Sequence, residues 1–179
     1  MRKIFLLLLI STLSFQSFAS HLMGGEITWK CITSGPDAGK YVFTLKIYRD
    51  CDGINVSQLP QTISVWNHPT VTSISAPLWV DPTGFPNPRD VSPDCDPINS
   101  GNQQLNCANN PVGAVERYVF ESAPINLPGS PPAAGWHFTW DNCCRNTAVS
   151  NLVNPSSMGF TLRASMYQYN DPITGIITP

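Results

Sequence analysis

The sequence predicts an all-β protein, a disulfide-stapled antiparallel β-sandwich of Ig-like or jelly-roll-like type with one long irregular loop. Three observations carry that prediction. Seventeen prolines and twelve glycines among 179 residues leave no amphipathic helix of ten residues after the leader. Short apolar runs alternate with period two between turn residues, as half-buried strands do. Six cysteines, an even set, follow a leader that directs export, and an oxidising space favours their pairing.

The leader decides the fate of the thiols. MRKIFLLLLISTLSFQSFAS opens with Arg2 and Lys3 and continues with an apolar run from Ile4 to Leu13. It closes on Ser17 and Ala19, the small residues at −3 and −1 of a cut before Ser20. About ten apolar residues are too few for a membrane span, which needs roughly 20. Residues 1–19 are therefore a signal peptide, and no cysteine follows the cut to take a lipid. No second apolar run predicts a membrane span, so the mature protein is secreted or sits on the cell surface. The remaining chain, about 160 residues, fits one domain. Its expected extent is 20–169, with 170–179 beginning a linker or a next domain.

Each strand follows from its alternation. Glu26–Cys31 alternates polar and apolar, and Lys40–Asp50, KYVFTLKIYRD, places Tyr41, Phe43, Leu45 and Ile47 on one face. Ser34–Gly39, SGPDAG, joins the two as a hairpin loop. Further strands are predicted at Gln61–Trp66, Val71–Ala76, Glu116–Ser122, Trp136–Cys143 and Met158–Tyr169. The segment 81–112 is poor in apolar residues and rich in Pro, Asn and Gly, too long for an ordinary connection.

The cysteines are Cys31, Cys51, Cys95, Cys107, Cys143 and Cys144. A bridge from Cys95 to Cys107 would close a short loop inside 81–112, stabilising it by roughly 3 kcal/mol on a chain-entropy model. Cys143 and Cys144, adjacent in WDNCC, point to opposite faces if that stretch is a strand. They are expected to staple two different elements, with Cys31 and Cys51 as partners in an order the sequence leaves open. A bond between Cys143 and Cys144 themselves is the weaker alternative, being a strained small ring. Zinc needs closely paired ligands, and His21, His68 and His137 are scattered.

Composition removes several function classes. Charged residues are only 12% and the formal net charge is −2, so no basic stripe addresses nucleic acid or an anionic membrane. A hydrophobic share of 42% supports a packed core. Hydrolase, metalloprotease and phosphate-loop motifs are missing. Glu26, Glu116 and Glu121 are the carboxylates from which a glycosidase pair would be drawn. His137, inside WHFTW, reads as structural rather than as a base. Asp50-Cys51-Asp52-Gly53 resembles the start of a calcium loop without its downstream Glu, so a plain turn is preferred and calcium is the one cofactor kept in view. Trp79, beside the irregular segment, is the tryptophan expected to be exposed.

SHLMGGEITWKC, YVFTLKIYRDCDG, WDNCCRNTAVSNL and GFTLRASMY occur in that order from Ser20 to Tyr167. Together they resemble the amino-terminal module of large exported Bacteroidetes surface proteins. Those proteins often end in a gliding-motility-associated carboxy-terminal domain read by type IX secretion. The resemblance implies a surface, adhesin-like protein with further Ig-like or PKD-like domains, and brings no catalytic residues. The expected function is thus a non-catalytic extracellular structural or binding module, its partner a glycan or a protein presented to its loops. The alternatives are a secreted hydrolase or glycan-binding domain and a calcium-dependent adhesion module.

Overall fold

The computed structural model describes residues 22–93, 104–143, 145, 149–170 and 177–178. The signal peptide, Cys95 and Cys144 lie outside the described residues, as does most of 170–179. Ten strands run β1 (Leu22–Cys31), β2 (Tyr41–Asp50), β3 (Gln61–Trp66), β4 (Ser73–Ala76), β5 (Arg89–Asp90), β6 (Val115–Glu121), β7 (Trp136–Cys143), β8 (Gly159–Met166), β9 (Tyr169–Asn170) and β10 (Ile177–Thr178). Every one of the seven predicted strands is present. A single 3-10 turn at Pro155–Ser157 is the only helical element among the described residues.

The strands form two antiparallel four-stranded sheets, ordered β1-β2-β6-β5 and β4-β3-β7-β8, with β9 and β10 paired separately. Alternation explains the layering. The odd-numbered residues of β2 from Tyr41 to Ile47 are buried and face the buried Trp136, Phe138 and Trp140 of β7. The rings of Phe43 and Phe138 meet at 4.5 Å across the interface. One continuous apolar core fills the gap between the sheets, the arrangement of a β-sandwich.

Both long edges are partly closed. After β4 the chain leaves its sheet and crosses to the other, where the backbone N–H of Trp79 donates to the carbonyl of Val119 (2.9 Å) and that of Glu121 to the carbonyl of Pro77 (3.0 Å). At the opposite edge β1 lies against β8. A bulge between Leu22 and Gly24 shifts the register, so Leu22 and Ile27, of opposite parity, are both buried. Gly25 sits on the same core face, where a Cβ would stand 2.7 Å from Leu162 Cδ1 and 2.6 Å from the Lys46 carbonyl. Glycine at that place in the GGEI block is required by the nearness of the β2 backbone in its own sheet and of Leu162 in the other, not by a turn.

Two polar side chains organise the irregular parts. Arg49 continues the core face of β2 beyond Ile47 and is only 5% exposed. Its Nε and Nη2 reach Glu116 Oε2 at 2.9 and 2.8 Å. Its Nη1 donates to the carbonyls of Asp50, Cys51 and Gly53 at 3.0, 3.3 and 2.8 Å. One guanidinium therefore closes the end of the core and shapes the turn after β2. Asn87 does similar work for β6: its Nδ2 donates to the carbonyls of Trp79 and Val119, both at 2.7 Å, and its Oδ1 accepts from Val119 N–H at 3.0 Å. The side-chain amide completes a β-ladder between the crossing segment and β5.

The segment 81–112 is irregular over most of its described length, but it contains β5, paired to β6 through Arg89↔Arg117 and Asp90↔Glu116. Asp90 accepts from Cys107 N–H at 2.7 Å and from the Ser92 N–H at 2.9 Å and hydroxyl at 2.5 Å. Burial pushes the Asp90 carboxyl up, and these hydrogen bonds outweigh it and leave it below the usual carboxylate range.

The disulfides correct the expected pairings. Cys107 is bonded to Cys51, with Cα atoms 5.1 Å apart, and not to Cys95. Cys143 is also disulfide-bonded, whereas Cys31 carries a free, exposed thiol. Antiparallel pairing gives the reason. Cys31 lies opposite Tyr41, and Leu22 lies opposite Arg49, so the ends of β1 and β2 are at opposite ends of the sandwich, about 30 Å apart at the rise of a strand. Neighbouring cysteines cannot serve both.

Candidate functional site

The outer face of the β4-β3-β7-β8 sheet carries an open depression built from three of its strands. In β3, Ile63 and Val65 turn inward, which leaves Ser64 and Trp66 outside. The same alternation in β7 sends His137, Thr139 and Asp141 outward, and in β8 Thr161, Arg163 and Ser165. Register then brings these side chains together. Trp66 faces His137, Thr139 stands between Ser64 and Arg163, and His137 pairs with Ser165.

Trp66, His137, Thr139 and Arg163 line an open depression of about 330 Å³, at the small end of the ligand-pocket range. Trp66 is 57% exposed, yet its Nε1 donates to Thr139 Oγ1 at 2.9 Å. That bond ties the indole to β7 while much of the ring stays in solvent. The Trp66 bond uses a lone pair of Thr139 Oγ1, so the hydroxyl proton stays available. His137 Nδ1 lies 2.9 Å from Ser165 Oγ, and the Tyr167 ring meets the imidazole edge-on at 6.4 Å. Arg163 forms no ion pair among the described residues. Asp141, further along β7, accepts from Thr161 Oγ1 at 2.6 Å.

The exposed tryptophan is therefore Trp66, and Trp79 is half-buried. The crossing segment that carries Trp79 hydrogen-bonds to β6, which draws the ring against the sheet. Trp136 and Trp140 are in the core, and Trp29 packs against it.

The three predicted carboxylates are not brought together. Glu26 pairs with Lys46 at 2.7 Å and Glu121 accepts from Thr44 Oγ1 at 3.4 Å, both outside the β1-β2-β6 face, whereas Glu116 turns inward to Arg49. At the DCDG turn, Asp50 Oδ1 accepts from Asp52 N–H at 3.0 Å, and three of the turn's carbonyls already receive Arg49. A cation there would compete with a guanidinium. No group of three His, Cys, Asp or Glu side chains is placed to hold a metal among the described residues.

His68 is structural. Its Nδ1 accepts from the N–H groups of Thr70 and Val71 at 3.2 and 3.0 Å, and its ring packs on Trp136 at 4.5 Å. Burial holds its pKa below the usual 6.5. His21 lies outside the described residues.

No helix among the described residues is long and apolar enough to cross a membrane. No protein-family model, curated protein or solved structure matches the chain.

Proposed function

We propose that the chain is a non-catalytic extracellular binding module, at the start of a longer adhesin-like cell-surface protein, and that its ligand is a glycan. One observation carries this reading. A rigid sandwich presents an exposed indole, a hydroxyl, an imidazole and a guanidinium on one flat sheet face, with no carboxylate among the four lining residues. Indole and hydrogen-bond donors recognise a sugar ring; a glycosidase would also need its pair of acids. The leader and the disulfide Cys51–Cys107 support an oxidising, extracellular setting. The four motif blocks that resemble surface-protein modules support the placement at the head of a longer chain.

The test is direct. Residues 20–179, with disulfides intact, are titrated against a panel of polysaccharides while reducing ends are assayed. Retention of at least one polymer without new reducing ends is the expected result. Release of reducing ends that is lost on heat denaturation would make the protein a hydrolase and refute the proposal.

A further inference from the structure

We infer that the Trp66 depression takes a sugar carrying a carboxylate, with the pyranose ring on the indole and the carboxylate on Arg163. The inference rests on the binding-module reading and adds the ligand's charge. Arg163 is exposed on β8 beside Thr139 and has no carboxylate partner among the described residues. Among the described residues Lys30, Arg89, Arg117 and Arg145 also form no ion pair, with Arg89 lying over Phe85 and Arg145 over Phe160; Arg163 differs from them in lining the depression that holds Trp66. A guanidinium left open next to an exposed aromatic face is a fork suited to a planar carboxylate.

The remaining groups fit the same ligand. Thr139 has a hydroxyl proton to donate, and His137, whose Nδ1 meets Ser165 Oγ, lines the depression as well. The sheet around them carries small hydroxyls, with Ser64, Thr161 and Ser165 on the same face, and one carboxylate, Asp141, which accepts from Thr161 further along β7. A flat platform with polar donors at its rim suits one or two sugar units of a polymer running over the sheet. Because the chain is weakly acidic, with net charge −2, a polyanion would not be drawn by bulk charge. Attraction must come from the local cation.

The probes are a galacturonic acid oligomer, the same oligomer with its carboxylates reduced to alcohols, and a sulfated dextran, each titrated calorimetrically into the intact protein. The acidic oligomer should bind, and the reduced one should bind at least about tenfold more weakly. Arg163→Gln should erase that difference and Trp66→Ala should abolish binding of both, each with Tm close to wild type because both side chains point outward. Equal binding of the two oligomers, or undiminished binding of the acidic one by Arg163→Gln, overturns the inference and leaves the binding module standing. Sulfated dextran bound as tightly, and insensitive to Arg163, overturns it in favour of unspecific polyanion attraction. Binding of none of the three overturns it as well, and the module reading then falls only if the wider polysaccharide panel is also unbound. The comparison of the two oligomers needs no variant, so a misfolded mutant cannot hide the answer.

Discussion

Replacing Arg49 by Met should destabilise the sandwich by about 3 kcal/mol, the lower end of the cost of breaking a buried ion pair. The substitution keeps the apolar stem that continues the core face of β2. It removes the partner of Glu116, whose side chain is 16% exposed, and the single donor that joins three carbonyls of the following turn. The carbonyls lie at the rim, where water replaces part of what is lost, so the stranded carboxylate dominates. In a domain of this size each kcal/mol moves Tm by about 2–4 °C, so a fall of about 6–12 °C is expected. Urea denaturation at neutral pH with disulfides intact reads the effect, for Arg49→Met, Glu116→Gln and the double variant. The double variant should cost less than the two singles together, by about 1–2 kcal/mol, because the neutral amide no longer needs the cation. An Arg49→Met protein within 1 kcal/mol of wild type, or strict additivity, would refute the argument that this pair closes the core.

Asn87→Ala should cost about 2–3 kcal/mol, since it strips partners from Val119 and Trp79; Asn87→Asp should cost more, because a carboxylate would face two carbonyls. Loss of hydrogen-exchange protection at Val119 N–H is the specific readout. His68 has a folded pKa below its usual 6.5, so its contribution is full above pH 6.5 and declines as pH falls from there toward the folded value. His68→Gln should remove that slope from the stability profile. Cys51→Ser should cost about 4 kcal/mol on the loop-entropy model for a closure of 56 residues, whereas Cys31→Ser should be nearly silent. Alkylation of the native protein should label Cys31, and a peptide map under non-reducing conditions should recover Cys51 linked to Cys107; a Cys95–Cys107 peptide would contradict the structure.

Strand positions were legible because alternation in β2, β3 and β7 is strict and prolines mark the breaks. The outward position of Trp66 was legible as well. Ile63 and Val65 claim the inner face, and the next side chain must turn out; proximity to an irregular segment was the poorer guide that favoured Trp79. Sheet order was not legible, since the neighbours of β6 come from segments up to four elements distant in the chain. The depression depends on that order: Trp66, Thr139 and Arg163 lie on three strands and meet only through register. Arg49 and Asn87 look like ordinary polar residues in the sequence, and nothing local says that one is buried and the other completes a ladder. Disulfide partners failed for a different reason. The hairpin of β1 and β2 already implied that Cys31 and Cys51 end far apart, a constraint that loop-closure entropy alone does not contain.

The seam between β1 and β8 has a mechanical meaning. Leu22 bridges to Arg145 in parallel, Arg145 N–H donates to the carbonyl of Met158, and Gly25 abuts Leu162. The first and last long strands therefore start at the same end and run the same way. Tension applied at Leu22 and at Met166 pulls from opposite ends of the sandwich, so the β1–β2 ladder is loaded in shear, with its hydrogen bonds strained together rather than unzipped in turn. If the core did give way, the Cys51–Cys107 bond would keep a span of 56 residues out of the extending chain, roughly 190 Å of contour. A domain built this way yields late under load and extends by less than its full contour.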